Sequence, residues 1–431
     1  MRRALCLLLA ASVPALAAAG EFRTYQGHGG PVMDITVAKD GRLATASFDN
    51  AVGLWSGMTP DWRDGHRAAV NVVTFLPDER MASGSDDFDI LLWEGTVPRR
   101  LGAHAGKVTD LAVSPDGTHL ASASWDGSIG LWPLGADETQ EPRSFTGHAS
   151  GVNAVVFADD GRTLLSAGAD GTLRHWDIET GASRTLLENG FGINKLILAP
   201  DESWLAYGTV DGATRVIDPA TGAQIADFTL ERRPILALAR DTNGSRIAAG
   251  DGEGYIMVIS TADWRIEKDF RATERGPIWA LDFSADGSDI LAAGLEPAVY
   301  AWPLDTMGDF APIEDGGQSF LAAPETMENG ERQFARKCSI CHTLTPGTAR
   351  RAGPSLYGLF GRRAGSLEDY TYSSALDGAQ IIWDETTIDA LFDEGPDHYV
   401  PGTKMPMQRI TGAQDRADLV AYLRRATEPQ E

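Results

Sequence analysis

Short apolar stretches alternate with polar turns through the first three hundred residues, and the pattern changes near the C-terminus. Segments such as VNAVVF (152–157) and TLLSAGA (163–169) are separated by turn sequences such as SPDG (114–117). Apolar runs of this length between turn residues are typical of short antiparallel strands. Towards the C-terminus, Leu419, Tyr422 and Leu423 recur at the spacing of one helix face. The pattern predicts an all-β region followed by a helix near the C-terminus.

The strand-rich region contains an internal repeat of about forty residues. Each repeat carries a His, then a Ser or Thr, an Asp four residues later, and a Trp six residues after the Asp. The four sets are His28, Thr45, Asp49 and Trp55; His66, Ser83, Asp87 and Trp93; His104, Ser122, Asp126 and Trp132; and His148, Ser166, Asp170 and Trp176. Three weaker units follow with the same spacing and end at Ile217, Ile259 and Trp302.

This spacing resembles the WD-repeat family, in which the four residues of each set form a hydrogen-bonded tetrad. The resemblance implies a seven-bladed β-propeller over residues 20–304. It also implies that residues 22–26 complete the last blade, whose other strands span about 277 to 303. Such closure hides the free edges of the sheets.

A different motif follows the repeats. The repeat pattern ends after Leu304, and residues 305–328 are rich in Gly, Pro, Asp and Glu, which predicts a linker. In the remaining domain, residues 329–431, Cys338, Cys341 and His342 form a C-x-x-C-H sequence. This motif predicts covalent haem attachment through the two thiols, with the histidine held beneath the iron. A redox-active Cys-x-x-Cys pair is the alternative, but no thioredoxin-like βαβ pattern surrounds the motif.

From residue 330 to 427 the chain resembles mitochondrial cytochrome c and the bacterial class I cytochromes. The matching stretches include AGPSLYGLFGRRAG, YVPGTKM and RADLVAYLRRAT. The resemblance implies an all-α domain with one covalent haem c and Met405 as the second axial ligand, with Met407 as the rival. It further implies that the carbonyl of Pro354 accepts a hydrogen bond from His342. Three further residues match those that neutralise or hydrogen-bond the haem propionates: Arg362, Tyr372 and Trp383.

The N-terminus and the charge suggest where the protein works. Residues 1–19 combine two arginines, an apolar run and small residues, which predicts a signal peptide and a periplasmic location; no later stretch of the sequence reaches the length of a membrane span. Removal of that peptide takes Cys6 away and leaves only the two motif cysteines. The net charge is −24, most of it in the propeller region. Such a surface disfavours nucleic acid and favours a basic redox partner.

The sequence favours an electron carrier whose propeller serves as a docking platform for proteins. The alternative is a periplasmic oxidoreductase with an unrecognised propeller cofactor and the haem as its relay. Of the eight histidines, four fill tetrads and one belongs to the haem motif, which leaves His119, His175 and His398. A multi-histidine metal site is therefore disfavoured, whereas an organic cofactor in the central channel stays open. A third possibility, a maturation scaffold with a redox-sensing haem, is not separated from the first by the sequence.

Overall fold

The computed structural model describes residues 21–135, 141–230, 232, 234–273, 275–306, 326–347, 350–376 and 378–428. The predicted signal peptide and most of the predicted linker lie outside these residues. Within them, no helix is both long enough and apolar enough to cross a membrane.

The N-terminal region is a seven-bladed β-propeller, and each blade is a four-stranded antiparallel sheet. Blades 1 and 2 contain β2–β9, which span Val32–Val37, Leu43–Ser47, Ala51–Ser56, Thr59–Asp64, Val70–Phe75, Met81–Ser85, Asp89–Glu94 and Val97–Ala103. Blades 3 and 4 contain β10–β17, which span Val108–Val113, His119–Ser124, Ser128–Pro133, Arg143–Thr146, Val152–Phe157, Thr163–Gly168, Thr172–Asp177 and Ser183–Glu188. Blades 5 and 6 contain β18–β25, which span Ile193–Leu198, Leu205–Thr209, Thr214–Ile217, Gln224–Asp227, Ile235–Arg240, Arg246–Asp251, Tyr255–Ser260 and Arg265–Arg271.

The last blade combines strands from both ends of the propeller. Its inner strands are β26 (Ile278–Phe283), β27 (Asp289–Gly294) and β28 (Ala298–Pro303), and its outer strand is β1 (Arg23–Gln26). β1 pairs antiparallel with β28, with Tyr25 opposite Val299. The expected closure of the ring by residues 22–26 is therefore confirmed, with the strand itself spanning Arg23–Gln26. Because the ring is closed this way, both ends of the propeller lie on one blade.

Blades 1 to 4 each contain the expected tetrad, and blade 2 shows how it works. Trp93 Nε1 donates to Ser83 Oγ at 2.8 Å, and Ser83 Oγ lies 2.8 Å from His66 Nε2. His66 Nδ1 lies 3.2 Å from the Asp87 carboxylate, which also accepts the backbone N–H of Arg67 at 2.7 Å. Since the carboxylate is an acceptor, we assign the proton of the ring to Nδ1 and let the serine hydroxyl donate to Nε2. Four buried polar groups thus satisfy one another.

Blade 7 lacks this network although it keeps the tryptophan. Trp302 is buried, and Ala292 stands ten residues before it, where Ser83 stands before Trp93. Among the described residues, Trp302 Nε1 has no hydrogen-bond partner. The blade is held instead by apolar packing, including Phe22 against Trp302 at 4.7 Å between ring centroids.

Carboxylates tie some blades together near the axis, where the first strands of neighbouring blades pack against one another. Asp34 accepts the N–H of Val73 at 2.9 Å, and Asp282 accepts the N–H of Val37 at 2.7 Å. Burial raises the pKa of Asp34 to about 6 and that of Asp282 to about 7. Each carboxylate bridges to the next blade, so these bonds help to fix the ring at a cost in desolvation.

The C-terminal domain is helical, as expected. Its helices are α1 (Asn329–Lys337), α2 (Glu385–Glu394), α3 (Pro396–Tyr399) and α4 (Ala413–Ala426). α1 and α4 cross closely at Gly330, where an added Cβ would overlap the backbone of Asp418. Phe334 packs on Tyr422 next to this crossing, at 5.7 Å between ring centroids. The crossing places the end of α1, and the motif that follows it, against the core of the domain.

Candidate haem site

The C-x-x-C-H motif forms a tight turn at the end of α1. The N–H of Cys338 bonds to Phe334 O at 2.8 Å, and the N–H of His342 bonds to Cys338 O at 2.9 Å. Cys338 is buried in the core of the domain, and Cys341 is half-buried. The turn therefore holds the two thiols and the imidazole close together in a fixed order.

His342 is oriented by a neighbouring loop. Its Nδ1 donates to the carbonyl of Pro354 at 2.8 Å, which leaves Nε2 as the basic nitrogen. Burial lowers the pKa of His342, so the ring is held in the neutral form that binds metals. Gly353 lies so close that an added Cβ would overlap the imidazole. The bond to Pro354 is the one that the resemblance implied.

Met405 and Met407 occupy different environments. Met405 lines a cavity of ≈ 1020 Å³ together with Cys338, Cys341 and His342. It also packs against the apolar core of the domain, whereas Met407 is 54% exposed. The thioether sulfur of a methionine is a soft ligand for haem iron. Of the two methionines, Met405 is the one that lines the same cavity as His342, so it is the one placed to bind the same haem iron.

The three expected propionate-side residues, Arg362, Tyr372 and Trp383, also line this cavity. Arg362 donates to two backbone carbonyls, those of Tyr357 and Ser355, each at 2.8 Å. These bonds fix the guanidinium at the cavity wall, and burial lowers the pKa of Arg362. The arrangement leaves a positive charge facing the cavity.

The sequence analysis missed two polar residues of the same wall. Tyr370 donates to Ala352 O, next to the loop that orients His342, at 2.5 Å. Ser373 also lines the cavity, and its Oγ is buried with no hydrogen-bond partner among the described residues. A carboxylate oxygen would satisfy this hydroxyl. Haem carries two such groups, so a buried unsatisfied donor in a cavity that Arg362 also lines fits haem.

The thiols themselves argue against a redox-active cysteine pair. Burial raises the pKa of Cys338 to about 12 and that of Cys341 to about 11. Redox-active cysteines have lowered pKa values and an electropositive, accessible setting. Buried thiols beside a large cavity and a neutral imidazole fit covalent haem better.

The propeller supplies part of the cavity wall as well, which the sequence analysis did not anticipate. Phe48, Phe88 and Trp125 lie on turns between the second and third strands of blades 1 to 3, and all three line the cavity. One signal was available in the sequence: Phe88 occupies the turn position where blades 3 and 4 have Gly127 and Gly171.

Comparison with known proteins agrees with this geometry. The family model described as cytochrome c matches residues 327–427. A cytochrome c of Sesamum indicum is 44% identical over 107 residues, which cover 25% of this chain and 95% of that protein. A cytochrome c of Theileria parva is 41% identical over 98 residues, or 23% of this chain and 84% of that protein. The chain belongs to the cytochrome c family. Its cytochrome c domain is the helical C-terminal domain described above.

A second family model covers the four blades with tetrads. The WD domain, G-beta repeat, matches residues 20–56, 62–94, 95–133 and 139–177. The WD-repeat propeller joined to a cytochrome c domain is thus confirmed. The cytochrome c match supports an electron-transfer function with haem, and the WD match supports protein interaction. No group of three or more His, Cys, Asp or Glu that could hold a metal ion lies within the described parts of the chain.

Proposed function

We propose that this protein is an exported carrier of single electrons with one covalent haem c. The observation that supports it best is the shared cavity: Cys338, Cys341, His342 and Met405 all line it, and the bond to Pro354 O orients the imidazole. On this proposal Cys338 and Cys341 hold the haem, and His342 and Met405 are the axial ligands. The haem supplies an iron that alternates between the ferric and ferrous states.

The residues around the cavity set the conditions for that change. With both His342 and Met405 bound to it, the iron would have no open position for a substrate, which favours electron transfer over catalysis at the iron. Met405 supplies a thioether, which favours the ferrous state and raises the reduction potential. Arg362, Tyr372 and Ser373 line the cavity, and they would hold the haem carboxylates and keep them out of bulk water.

The propeller is proposed as a platform that docks a redox partner. Its acidic surface would attract a basic protein at low salt, and the association should weaken as salt rises. The proposed location is the periplasm, which rests on the signal peptide predicted at residues 1–19 together with the predicted attachment of haem. We also propose that the protein has no nucleic-acid partner and, after signal cleavage, no integral membrane segment.

The first test is the cofactor content of the chain purified from a host that matures c-type haem. We expect one iron per chain and one haem that stays with the chain after acid extraction. A second metal or a non-haem chromophore would overturn the carrier proposal and make the propeller an active site.

The second test concerns the axial ligand. Met405→Ala should lower the midpoint potential by an amount on the order of tenths of a volt, within the roughly 0.8 V range that axial ligands set. Met407→Leu is the matched control, because Met407 is exposed and Met405 lines the cavity. Equal shifts in both variants, or a shift in Met407→Leu alone, would reject Met405 as the ligand.

A further inference from the structure

One face of the propeller lies against the cavity that holds the C-x-x-C-H motif. Phe48, Phe88 and Trp125 line that cavity together with Cys341 and Met405. The aromatic residues come from three successive blades. The cavity of the haem site therefore lies between the cytochrome c domain and the propeller.

Phe88 is held there against its backbone preference. Its φ is 73°, in the left-handed region that a bulky side chain rarely adopts. The same turn position carries Gly127, Gly171, Gly212 and Gly254 in blades 3 to 6, each with positive φ. Phe88 is also 43% exposed, so its burial in the propeller does not compensate for the strain. A strained, exposed aromatic residue points to a function for its side chain.

Trp125 is a second exposed aromatic residue on this surface. It is 57% exposed, its Nε1 donates to Asn153 Oδ1 at 3.1 Å, and Lys107 Nζ lies 3.4 Å from the ring centroid. These two contacts fix the indole plane beside the cavity. A flat apolar ring in a fixed position suits packing against a planar macrocycle.

A separate contact holds the two domains in this orientation. Arg350 of the cytochrome c domain forms an ion pair with Asp64, with Nη2 3.2 Å from Oδ2. Its guanidinium lies 4.6 Å from the ring centroid of Trp62. Its backbone carbonyl packs directly on Gly29, where an added Cβ would overlap it. We call the contact among Arg350, Gly29, Trp62 and Asp64 the domain latch.

The repeats show that the glycine of the domain latch is not needed by the propeller itself. Gly29 follows the tetrad residue His28, and the same position carries Arg67, Ala105 and Ala149 in blades 2 to 4. The φ of Gly29 is not positive, and the three nearest atoms to an added Cβ all belong to Arg350. The docked cytochrome c domain, whose Arg350 carbonyl occupies the space of a Cβ, accounts for the absence of a side chain here.

We propose that the propeller forms one wall of the haem site, with Phe88 and Trp125 against the haem edge, and that the domain latch holds this closed arrangement. In this arrangement the edge is shielded from protein-sized partners, so electron exchange with another protein requires release of the domain latch. This inference rests on the proposed function, because it assumes that the domain carries haem. It goes further by assigning residues of the propeller to the haem site and to control of access.

The sharpest test is Gly29→Ala in the full-length protein with haem attached. The new methyl group cannot coexist with the docked Arg350 carbonyl. We therefore expect the equilibrium constant between the docked and released arrangements of the two domains to shift about tenfold or more towards release. Small-angle X-ray scattering should then show a larger radius of gyration than for the unaltered protein. The rate at which one electron passes from the ferrous protein to Cu(II) azurin, giving the ferric protein and Cu(I) azurin, should rise by a similar factor.

The matched control is Ala149→Gly, which makes the reverse change in the corresponding loop of blade 4, where Ala149 is exposed. It should leave both the scattering and the rate unchanged. An unchanged radius and rate in Gly29→Ala, or equal changes in both variants, would overturn the proposal.

Phe88→Gly tests the haem wall without threatening the fold, because glycine is the ordinary residue at this turn position. We expect the propeller to remain as stable or become more stable, while the midpoint potential falls because water reaches the haem edge. An unchanged potential in Phe88→Gly and in Trp125→Ala would overturn the assigned haem contact. If the unaltered chain attached no haem at all, the proposed function would fail, whereas attached haem with no response in these variants would reject this inference alone.

Discussion

In the propeller, Ser83 accepts the N–H of Trp93 and donates to His66, so three buried side chains satisfy one another. In the cytochrome c domain, Ser373 Oγ is buried at the cavity wall with no partner among the described residues. The tetrads of blades 1 to 4 complete their polar networks from the chain, whereas the cavity wall of the cytochrome c domain presents an unsatisfied hydroxyl. The difference teaches that the tetrads need no added group, whereas the cavity wall leaves a polar atom for a bound group to satisfy.

The largest effect should come from removing haem attachment. In Cys338→Ser/Cys341→Ser we expect the cytochrome c domain to lose its cooperative fold while the propeller keeps its own. Calorimetry should show the loss of one transition with an enthalpy of about 60 to 80 kcal/mol, as expected for a domain of roughly 100 residues. Arg336→Gln, an exposed change in the same helix, is the control. A retained transition in the double variant would mean that this domain folds without its haem.

A smaller effect should follow from breaking one tetrad. Ser83→Ala leaves Trp93 Nε1 and His66 Nε2 without their buried partner. Each such group costs about 1 to 3 kcal/mol, so we expect a loss of about 2 to 4 kcal/mol in the free energy of unfolding of the propeller. Urea denaturation measures it, with the exposed Ser56→Ala as the control. Equal midpoints for the two variants would show that the tetrad adds little to stability.

Asp282 provides a pH-dependent test of the propeller. Burial raises the pKa of this carboxyl to about 7, above its value in the unfolded chain. Between about pH 4 and 7 the folded state therefore binds more protons than the unfolded state, and stability falls as pH rises through this range. Asp282→Asn keeps an acceptor for Val37 N–H and removes the ionisation. We expect a gain of about 1 to 3 kcal/mol at pH 8 and no change near pH 4.

Urea denaturation of Asp282→Asn and of the unaltered protein at pH 4 and pH 8 measures this gain in the free energy of unfolding. Asp40→Asn is a suitable control, since the pKa of this exposed carboxyl is lowered chiefly by the backbone N–H of Arg42. A gain in Asp282→Asn that is the same at pH 4 and pH 8 would contradict the titration argument.

The smallest effect should come from giving blade 7 what it lacks. Ala292→Ser places a hydroxyl at the tetrad position before Trp302, whose Nε1 has no partner among the described residues. We expect a gain of up to about 1 kcal/mol, the net worth of one hydrogen bond. In the double variant Ala292→Ser/Trp302→Phe the gain should vanish, because the indole donor is gone. A gain that persisted there would come from some other contact.

The repeat spacing was sufficient to predict the seven blades and their closure. In the tetrads, the interacting residues lie within one blade, and in the C-x-x-C-H turn the spacing is local. Such short-range constraints are visible in a single sequence. The cytochrome c match and the sheet topology confirm the two domain types.

The site residues were predicted from the resemblance to cytochrome c, which says more than a hydrophobic pattern alone. Pro354, Met405, Arg362, Tyr372 and Trp383 lie around one cavity with the haem motif, and their ligand roles stay predictions. Ser373 and Tyr370 were missed, since an isolated serine or tyrosine in a loop carries no spacing signal. The strain at Phe88 could have been predicted from the sequence, because other repeats have glycine at its turn position.

The sequence by itself determined the elements: which segments form blades, which turns carry tetrads, and where the thiols and the imidazole stand together. Only the tertiary structure decided that the cytochrome c domain lies with its cavity against blades 1 to 3, and that Gly29 receives the carbonyl of Arg350. The physical reason is distance along the chain. Contacts such as Arg350 with Asp64 join residues that are 286 positions apart, and their geometry depends on how two finished surfaces fit, which no local pattern encodes.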